Sequence, residues 1–229
     1  MKNYLIVGAS SGIGRSLVNL LKSDGNHVYG TYFTNNEFKN DVKFQYYDVL
    51  KDNLDLEILP EVLDGLVYCP GSINLLPFSR IKPEEFIQDF RLQVEGAIRI
   101  IQSVLPRLKK SNLGSIVLFS TVAVQSGFNF HSQVATSKGA IEGLTRSLAA
   151  EFAPKIRVNA IAPSLTETKL AGKLLNTESK IAANAERHPL KRIGSVTDIA
   201  EIANFLLSEK SSWITGQIMH VDGGMSGIK

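Results

Sequence analysis

The sequence predicts an α/β domain of the doubly wound type, with a seven-stranded parallel sheet between two layers of helices. Two observations support this prediction. Short runs rich in β-branched and aromatic residues alternate with longer helical patterns along the chain. Most of the short runs are continuously apolar, as is typical of strands that helices cover on both faces. Such alternation indicates parallel strands joined by right-handed crossovers.

Each predicted strand is a short apolar run that ends near glycine or polar residues, and each predicted helix is a longer segment between two such runs. The predicted strands are Tyr4–Val7, His27–Phe33, Val42–Tyr47, Gly65–Cys69, Ser115–Ser120, Ile156–Ile161 and Gln217–Val221. The predicted helices are Ile13–Ser23, Pro83–Lys110, Val134–Phe152 and Val196–Leu207. The connection Thr34–Asp41 is shorter than the dozen or so residues that a parallel crossover normally takes. Either a bare loop replaces a helix there, or the strand boundaries are misplaced.

Composition narrows the class of protein. The chain has 229 residues, which fit one domain spanning residues 1–229, and no repeat or linker divides it. A net charge of +3 is too slight to indicate a nucleic-acid or membrane partner. The single cysteine, Cys69, excludes an internal disulfide, so a cytoplasmic location is expected. The longest apolar stretch, Ser115–Val124, is about half of the roughly 20 residues that a membrane helix needs.

A glycine-rich segment, Gly8-Ala9-Ser10-Ser11-Gly12-Ile13-Gly14, directly follows the first predicted strand and opens the first helix. Glycines there permit a tight turn and let the backbone approach a pyrophosphate, while the helix N-terminus offers free N–H groups. A strand before the segment and a second strand after the helix are the context that dinucleotide binding requires. The alternative is a plain structural turn between strand and helix.

The Gly-x-x-x-Gly-x-Gly spacing resembles that of the short-chain dehydrogenase/reductase family, whose fold is of the Rossmann type. Further resemblances follow in the family's order: Asp48-Val49, Lys138-Gly139-Ala140, Arg157–Pro163 and the segment 214–224. Because they run from the first ten residues to the last ten, the chain is identified as a member of this family. The resemblance implies a nicotinamide coenzyme, a small-molecule substrate and a homodimer or homotetramer.

The choice between NAD(H) and NADP(H) depends on the end of the second strand. An acidic residue there holds the adenosine ribose and repels a 2′-phosphate, but the sequence reads Gly30-Thr31-Tyr32-Phe33-Thr34. This segment has no acidic residue that would repel a 2′-phosphate, which favours NADP(H). The preference is expected to be slight, because Ser11 stands where NADP-preferring relatives often carry a basic residue. The residues expected to bind the coenzyme are Gly8, Ser10, Ser11, Gly12, Ile13, Gly14, Thr31, Asp48, Val49, Gly71, Lys138, Pro163 and Thr168.

The catalytic pattern of the family is incomplete in this chain. In the family, a tyrosine four residues before the lysine donates the proton, a serine orients the substrate carbonyl, and an asparagine completes a proton relay. Here Lys138 is present, but these positions hold Val134, Thr121 and Gln93. Thr121 keeps a hydroxyl and Gln93 keeps an amide, whereas Val134 has no proton to give. General acid catalysis is worth about 10²–10⁴-fold, so another donor is needed for an efficient reductase.

His131 is the candidate replacement for the missing tyrosine. It lies seven residues before Lys138, the offset at which the related enoyl-reductase branch carries its active-site tyrosine. An imidazole side chain can supply a proton at neutral pH. The catalytic set is therefore expected to be Thr121, His131, Lys138 and Gln93. The alternative is that His131 is an active-site loop residue without a chemical role.

The segment after Pro163 resembles the family's nicotinamide-contacting stretch and its mobile substrate lid, here residues 165–192. The resemblance indicates that Thr168 holds the nicotinamide carboxamide; alternatively, Thr168 simply caps a helix. The lid is rich in basic residues, which could favour an acidic substrate or could simply be a solvated helix face. Its basic residues are Lys169, Lys173, Lys180, Arg187 and His188.

The function expected from the sequence is that of an NAD(P)(H)-dependent oxidoreductase. Hydride transfer is expected on a carbonyl/alcohol pair, with an activated C=C bond as the alternative. The second hypothesis is a catalytically degenerate dinucleotide-binding sensor or partner subunit, which Val134 favours. A lyase or isomerase on the same scaffold is the third. No metal site is expected, because no His, Asp or Glu cluster has ligand spacing.

Overall fold

The computed structural model describes residues 1–34 and 43–228, within which seven strands form one fully parallel sheet. The strands are β1 (Asn3–Val7), β2 (His27–Tyr32), β3 (Lys43–Tyr46), β4 (Gly65–Tyr68), β5 (Gly114–Phe119), β6 (Ile156–Pro163) and β7 (Ile218–Val221). Their order across the sheet is β3-β2-β1-β4-β5-β6-β7. The predicted doubly wound fold is confirmed.

Helices cover both faces of the sheet. In the described residues the α-helices are α1 (Gly12–Ser23), α2 (Pro83–Phe90), α3 (Gly96–Leu108), α4 (Ala123–Ser126), α5 (Ser132–Phe152), α6 (Glu178–Glu186) and α7 (Val196–Leu207). Successive residues of β1 show the two layers, because strand side chains alternate between faces. Leu5 belongs to the core cluster that includes α3 and α5, whereas Ile6 belongs to the cluster that includes α1 and α7. Both side chains are fully buried, as the continuous apolar runs indicate.

The predicted helix Pro83–Lys110 differs from the observed structure. A π-helical turn, Arg91–Glu95, separates α2 from α3, and Gln93 is buried within that turn. Single π-helical turns occur frequently at functional sites. Apart from Thr34, the predicted short connection Thr34–Asp41 lies outside the described residues. Among the described helices, none combines the length and apolar character needed to cross a membrane.

The strand order places a binding edge at one end of the sheet. From β1 the chain proceeds to β2 and β3 on one side, and then returns to β4 on the other side of β1. Ligands of doubly wound proteins bind where this reversal occurs, beyond the carboxyl ends of the strands. The segments that follow β1, β4, β5 and β6 all meet at this edge.

Candidate active site

The carboxyl ends of the strands open onto a cleft with a volume of about 860 Å³. This volume lies within the range that is usual for ligand and coenzyme sites. Every residue expected from the sequence to bind coenzyme or take part in catalysis lines the cleft. The structure thus brings these residues together, while their individual roles stay predictions.

The glycine-rich segment forms one wall of the cleft. Gly8 and Gly12 have φ angles of +79° and +53°, which side-chain-bearing residues rarely adopt. The Gly8 N–H donates a hydrogen bond of 3.0 Å to Oγ1 of Thr31, which joins this wall to the end of β2. A side chain on Gly14 would collide with the carbonyl oxygen of Gly8, so the helix packs this closely on the strand because residue 14 is glycine.

The N-terminus of α1 suits an anionic group. The Ser11 side chain makes no capping hydrogen bond, and the first turn of α1 holds no acidic residue. The N–H groups of this turn therefore keep their partial positive charge for a ligand. Ser11, Gly12 and Ile13 all line the cleft. The geometry fits the pyrophosphate of a dinucleotide, as the sequence predicts.

The residues after β2 and β3 form the other end of the same cleft. Tyr32, Phe33 and Thr34 line it without contributing a carboxylate. Asp48 is an acidic residue at this end, and its carboxylate is already engaged. It accepts a hydrogen bond of 3.0 Å from the Leu50 N–H and lies 3.7 Å from the ammonium nitrogen of Lys51.

Lys138 and Val134 lie one helical turn apart on α5 and both reach the cleft. Burial lowers the pKa of Lys138 to about 8, while Asp89 and then Cys69 act in the opposite direction. Val134 offers only hydrocarbon at the position where the sequence analysis expects the family's tyrosine. Thr121 lies just beyond β5, where its Oγ1 accepts a hydrogen bond of 3.3 Å from the Ala123 N–H and its hydroxyl hydrogen stays available for donation.

His131 immediately precedes α5 and faces the cleft beside an aromatic ring. Its Nδ1 lies 2.8 Å from the carbonyl oxygen of Asn129. Because a carbonyl oxygen can only accept, the hydrogen bond assigns the proton to Nδ1. The ring of His131 packs against Phe128, with 5.5 Å between the ring centroids. Nε2 is then the nitrogen that can gain and release a proton.

The Gln93 side chain is hydrogen-bonded to the buried carboxylate of Asp89, a residue that the sequence analysis did not identify. Its Nε2 lies 2.8 and 2.7 Å from the two carboxylate oxygens of Asp89. Ser137 and Ser72 also donate hydrogen bonds to this carboxylate. Asp89 precedes Gln93 by four residues, and this helical spacing is the signal that could have revealed the pair.

Thr168 lines the cleft against the glycine-rich wall, near the start of the predicted lid segment. The Thr168 methyl carbon lies within 4 Å of the point that a side chain on Gly12 would occupy. Thr168 Oγ1 also accepts a hydrogen bond of 3.3 Å from the Ala171 N–H and so caps the 3₁₀ segment Lys169–Leu174. The capping alternative is thus observed, and the expected contact with nicotinamide stays a prediction.

A second missed pair joins the lid to β6. Buried His188 lies with Nε2 2.9 Å from Oγ of Ser164, just beyond β6, and its Nδ1 lies 2.8 Å from the carbonyl oxygen of Asn184 on α6. His188, Lys169 and Arg187 are the basic lid residues that line the cleft. Lys173 and Lys180 do not line it. Within residues 1–34 and 43–228, no three His, Cys, Asp or Glu side chains gather as metal ligands.

Comparisons with known proteins agree with this geometry. The family model described as "Enoyl-(Acyl carrier protein) reductase" matches residues 56–226. L-xylulose reductase of Bos taurus is 32% identical to the chain, over 97% of this chain and 96% of that protein.

The chain belongs to the short-chain dehydrogenase/reductase family.

Two solved structures extend the similarity to the backbone. Thermoplasma acidophilum aldohexose dehydrogenase superposes with a TM-score of 0.90 at 27% identity, covering 98% of this chain and 94% of that one. The structure titled "ElxO with NADP Bound" has a TM-score of 0.84 at 27% identity and covers 98% of both chains.

This short-chain dehydrogenase/reductase is therefore an NAD(P)(H)-dependent oxidoreductase, the class that transfers hydride between coenzyme and a carbonyl or alcohol group. Its relatives are named as reductases and dehydrogenases, so the non-catalytic alternative is not favoured.

Proposed function

We propose that this protein transfers hydride between NADP(H) and the carbonyl or alcohol group of a small molecule, with His131 as the proton donor. The observation that carries the proposal is the convergence of Thr121, His131 and Lys138 on the cleft whose wall is the glycine-rich segment. Thr121 orients the substrate oxygen with its hydroxyl, and Lys138 and Gln93 complete the catalytic set.

The residues of the cleft fit a nicotinamide dinucleotide. The uncapped start of α1 suits the pyrophosphate, and Lys138, Pro163 and Thr168 line the part of the cleft assigned to the nicotinamide half. Asp48, Val49 and Thr31 line the part assigned to adenosine. When bound, the coenzyme supplies the hydride, and the protein supplies placement and proton transfer.

Three observations support NADP(H) as the preferred coenzyme. The described residues at the end of β2, through Thr34, hold no carboxylate that would repel a 2′-phosphate. The carboxylate of Asp48 is engaged by the Leu50 N–H and lies beside Lys51, which partly offsets its charge. In addition, a structural neighbour is a complex with NADP. Calorimetric titration with NADPH and NADH should give the lower dissociation constant for NADPH.

The proton route follows from the hydrogen bond of His131. With Nδ1–H bound to the Asn129 carbonyl, the ring is held and Nε2 carries the exchangeable proton. In reduction, the imidazolium gives this proton to the oxygen that becomes the hydroxyl. The neutral ring then recovers a proton from solvent, to which the His131 region is accessible. Val134 cannot take part because its side chain has no ionisable group.

We further propose that the protein is cytoplasmic and assembles as a homodimer or homotetramer. The exposed apolar side chains Ile87 and Phe90 on α2 support self-association. Sedimentation analysis should show a species of two or four chains. A monomer at micromolar concentration would contradict this part of the proposal alone.

The substitution His131→Gln tests the proton donor. NADPH consumption with L-xylulose, NADP⁺ reduction with D-glucose, and NADPH consumption with a crotonyl thioester cover carbonyl, alcohol and C=C chemistry. On any substrate that the wild type turns over, we expect kcat/KM to fall about 10²–10⁴-fold, as for loss of a general acid.

His27→Gln is the matched control, because His27 is exposed at the start of β2, at the opposite edge of the sheet. It should leave kcat/KM unchanged. An active wild type whose kcat/KM is unaltered in the His131→Gln variant would exclude His131 as the donor. A wild type that binds NADPH but turns over no carbonyl, alcohol or C=C substrate would contradict the proposed function.

A further inference from the structure

A cluster of hydrogen-bonded polar side chains, of which only Ser72 is partly exposed, joins α2 and the following π-helical turn to α5, the helix that carries Lys138. It consists of Asp89, Gln93, Ser137 and Ser72, and is called the Asp89 cluster below. Asp89 is 6% exposed and Gln93 is 1% exposed. The Ser137 hydroxyl donates a hydrogen bond of 2.6 Å to Asp89, and Ser72 donates to its other carboxylate oxygen. An ionised carboxylate only accepts hydrogen bonds, which suits these three donors.

The Asp89 carboxylate determines which way the Gln93 amide points. Nε2 of Gln93 binds both carboxylate oxygens, so Oε1 must face away from Asp89. Oε1 is buried and has no hydrogen-bond partner within the described residues. It lies 3.4 Å from the point that a side-chain carbon on Gly71 would occupy, and Nζ of Lys138 lies 3.7 Å from the same point. An acceptor and an ammonium group thus border one small space beside Gly71.

The charge of Asp89 also bears on Lys138. Burial lowers the pKa of Lys138, and Asp89 is the largest influence in the opposite direction, followed by Cys69. Burial raises the pKa of the Cys69 thiol to about 12, so the thiol is neutral at the pH at which Lys138 titrates. Among the groups that act on Lys138, Asp89 is therefore the charge that raises its pKa against the effect of burial.

We propose that Asp89 is a positioning residue of this active site, which directs Gln93 Oε1 toward the space beside Lys138 and keeps the Lys138 ammonium charged. A buried polar oxygen without a partner normally receives a hydrogen bond from water or a ligand. A water or ligand in the space beside Gly71 could thus donate a hydrogen bond to Oε1 of Gln93 and would lie near the charge of Lys138. Its catalytic consequence rests on the proposed function, whereas the effect on the charge of Lys138 does not.

The variant Asp89→Asn removes the charge and keeps the shape. In the full-length protein without coenzyme, nuclear magnetic resonance of ¹⁵N-labelled lysine side chains follows the titration of Lys138 directly. We expect its titration midpoint to fall, because the charge of Asp89 raises the pKa of Lys138 and the variant removes that charge. With an active substrate, the alkaline limb of kcat/KM should move to lower pH by the same amount.

Asp64→Asn is the matched control. Asp64 also accepts a hydrogen bond from a serine hydroxyl, Ser111 at 2.8 Å, but it precedes β4 at the opposite edge of the sheet. This variant should leave the Lys138 midpoint unchanged. If Asp89→Asn does not fold, Asp89→Ser applies the same test with a smaller neutral side chain.

An unchanged Lys138 midpoint in a folded Asp89 variant would overturn the inference. The titration requires neither coenzyme nor turnover, so it decides the role of Asp89 even if the activity assays refute the proposed function. A lowered midpoint with an unmoved rate profile would overturn the catalytic part of the inference and leave the charge effect standing.

Discussion

The lysine of the cleft is expected to destabilise the free protein at neutral pH. Burial lowers the pKa of Lys138 from its usual 10.5 to about 8, and the charge of Asp89 offsets only part of this effect. The folded chain therefore binds this proton more weakly than the unfolded chain does. At pH 7 the lysine is charged in both states. At about 1.4 kcal/mol per pKa unit, the difference lowers the free energy of unfolding by about 3 kcal/mol.

The substitution Lys138→Met replaces the amine with an apolar side chain of similar length. At pH 7 the variant should have a free energy of unfolding about 3 kcal/mol above that of the wild type, while its affinity for coenzyme falls. Between pH 8 and 10.5 the unfolded wild type binds more protons than the folded wild type, so wild-type stability rises with pH relative to the variant. The difference should therefore close over this interval. Urea unfolding followed by circular dichroism measures it.

Lys155→Met is the control, since Lys155 is exposed and directly precedes β6. Its stability should stay within about 0.5 kcal/mol of the wild type, without a trend in pH. The reasoning is refuted if Lys138→Met is no more stable than the wild type at pH 7. It is also refuted if the gain persists unchanged above pH 10.5.

Gly14→Ala tests the glycine-rich wall of the cleft, and Thr121→Val tests the Thr121 hydroxyl that is expected to bind the substrate oxygen. Gly14→Ala should lower the free energy of unfolding by about 1–3 kcal/mol and abolish NADPH binding in calorimetry, because the methyl group meets the Gly8 carbonyl oxygen. Gly143→Ala, where the added methyl has open space in α5, should instead stabilise by about 1 kcal/mol; equal effects at both positions would contradict the packing argument. Thr121→Val should lower kcat/KM about 10-fold or more by removing a hydrogen bond to the substrate oxygen, and Thr121→Ser should retain the wild-type rate. A fully active Thr121→Val enzyme would exclude that hydrogen bond.

The strands were predictable because each is marked locally. β4 and β5 are short apolar runs bounded by turns, and the observed ends of each strand lie within one residue of the predicted ends. Prediction was less complete for Pro83–Lys110, where apolar spacing indicates a continuous helix. A π-helical turn differs from α-helix by one residue per turn, too little to show in the apolar spacing.

The candidate site was predictable to the extent that motifs identify positions. The glycine-rich segment, Lys138 and Thr168 occur at spacings characteristic of the family, and all of them line the cleft. Thr168 also shows the limit of a motif, since its side chain caps the following 3₁₀ segment and the motif does not distinguish the two roles.

By itself, the sequence determined the parallel sheet and the glycine-rich segment, and it predicts the loss of the family's tyrosine at Val134, because each of these features is carried by neighbouring residues. The tertiary structure alone decided the contact of Asp89 with Ser137, 48 residues away, and of Ser164 with His188, 24 residues away. No local pattern encodes such pairs, because they form only when separate elements pack together. Packing likewise set the pKa of Lys138, since desolvation depends on what surrounds a side chain and not on its neighbours in the chain.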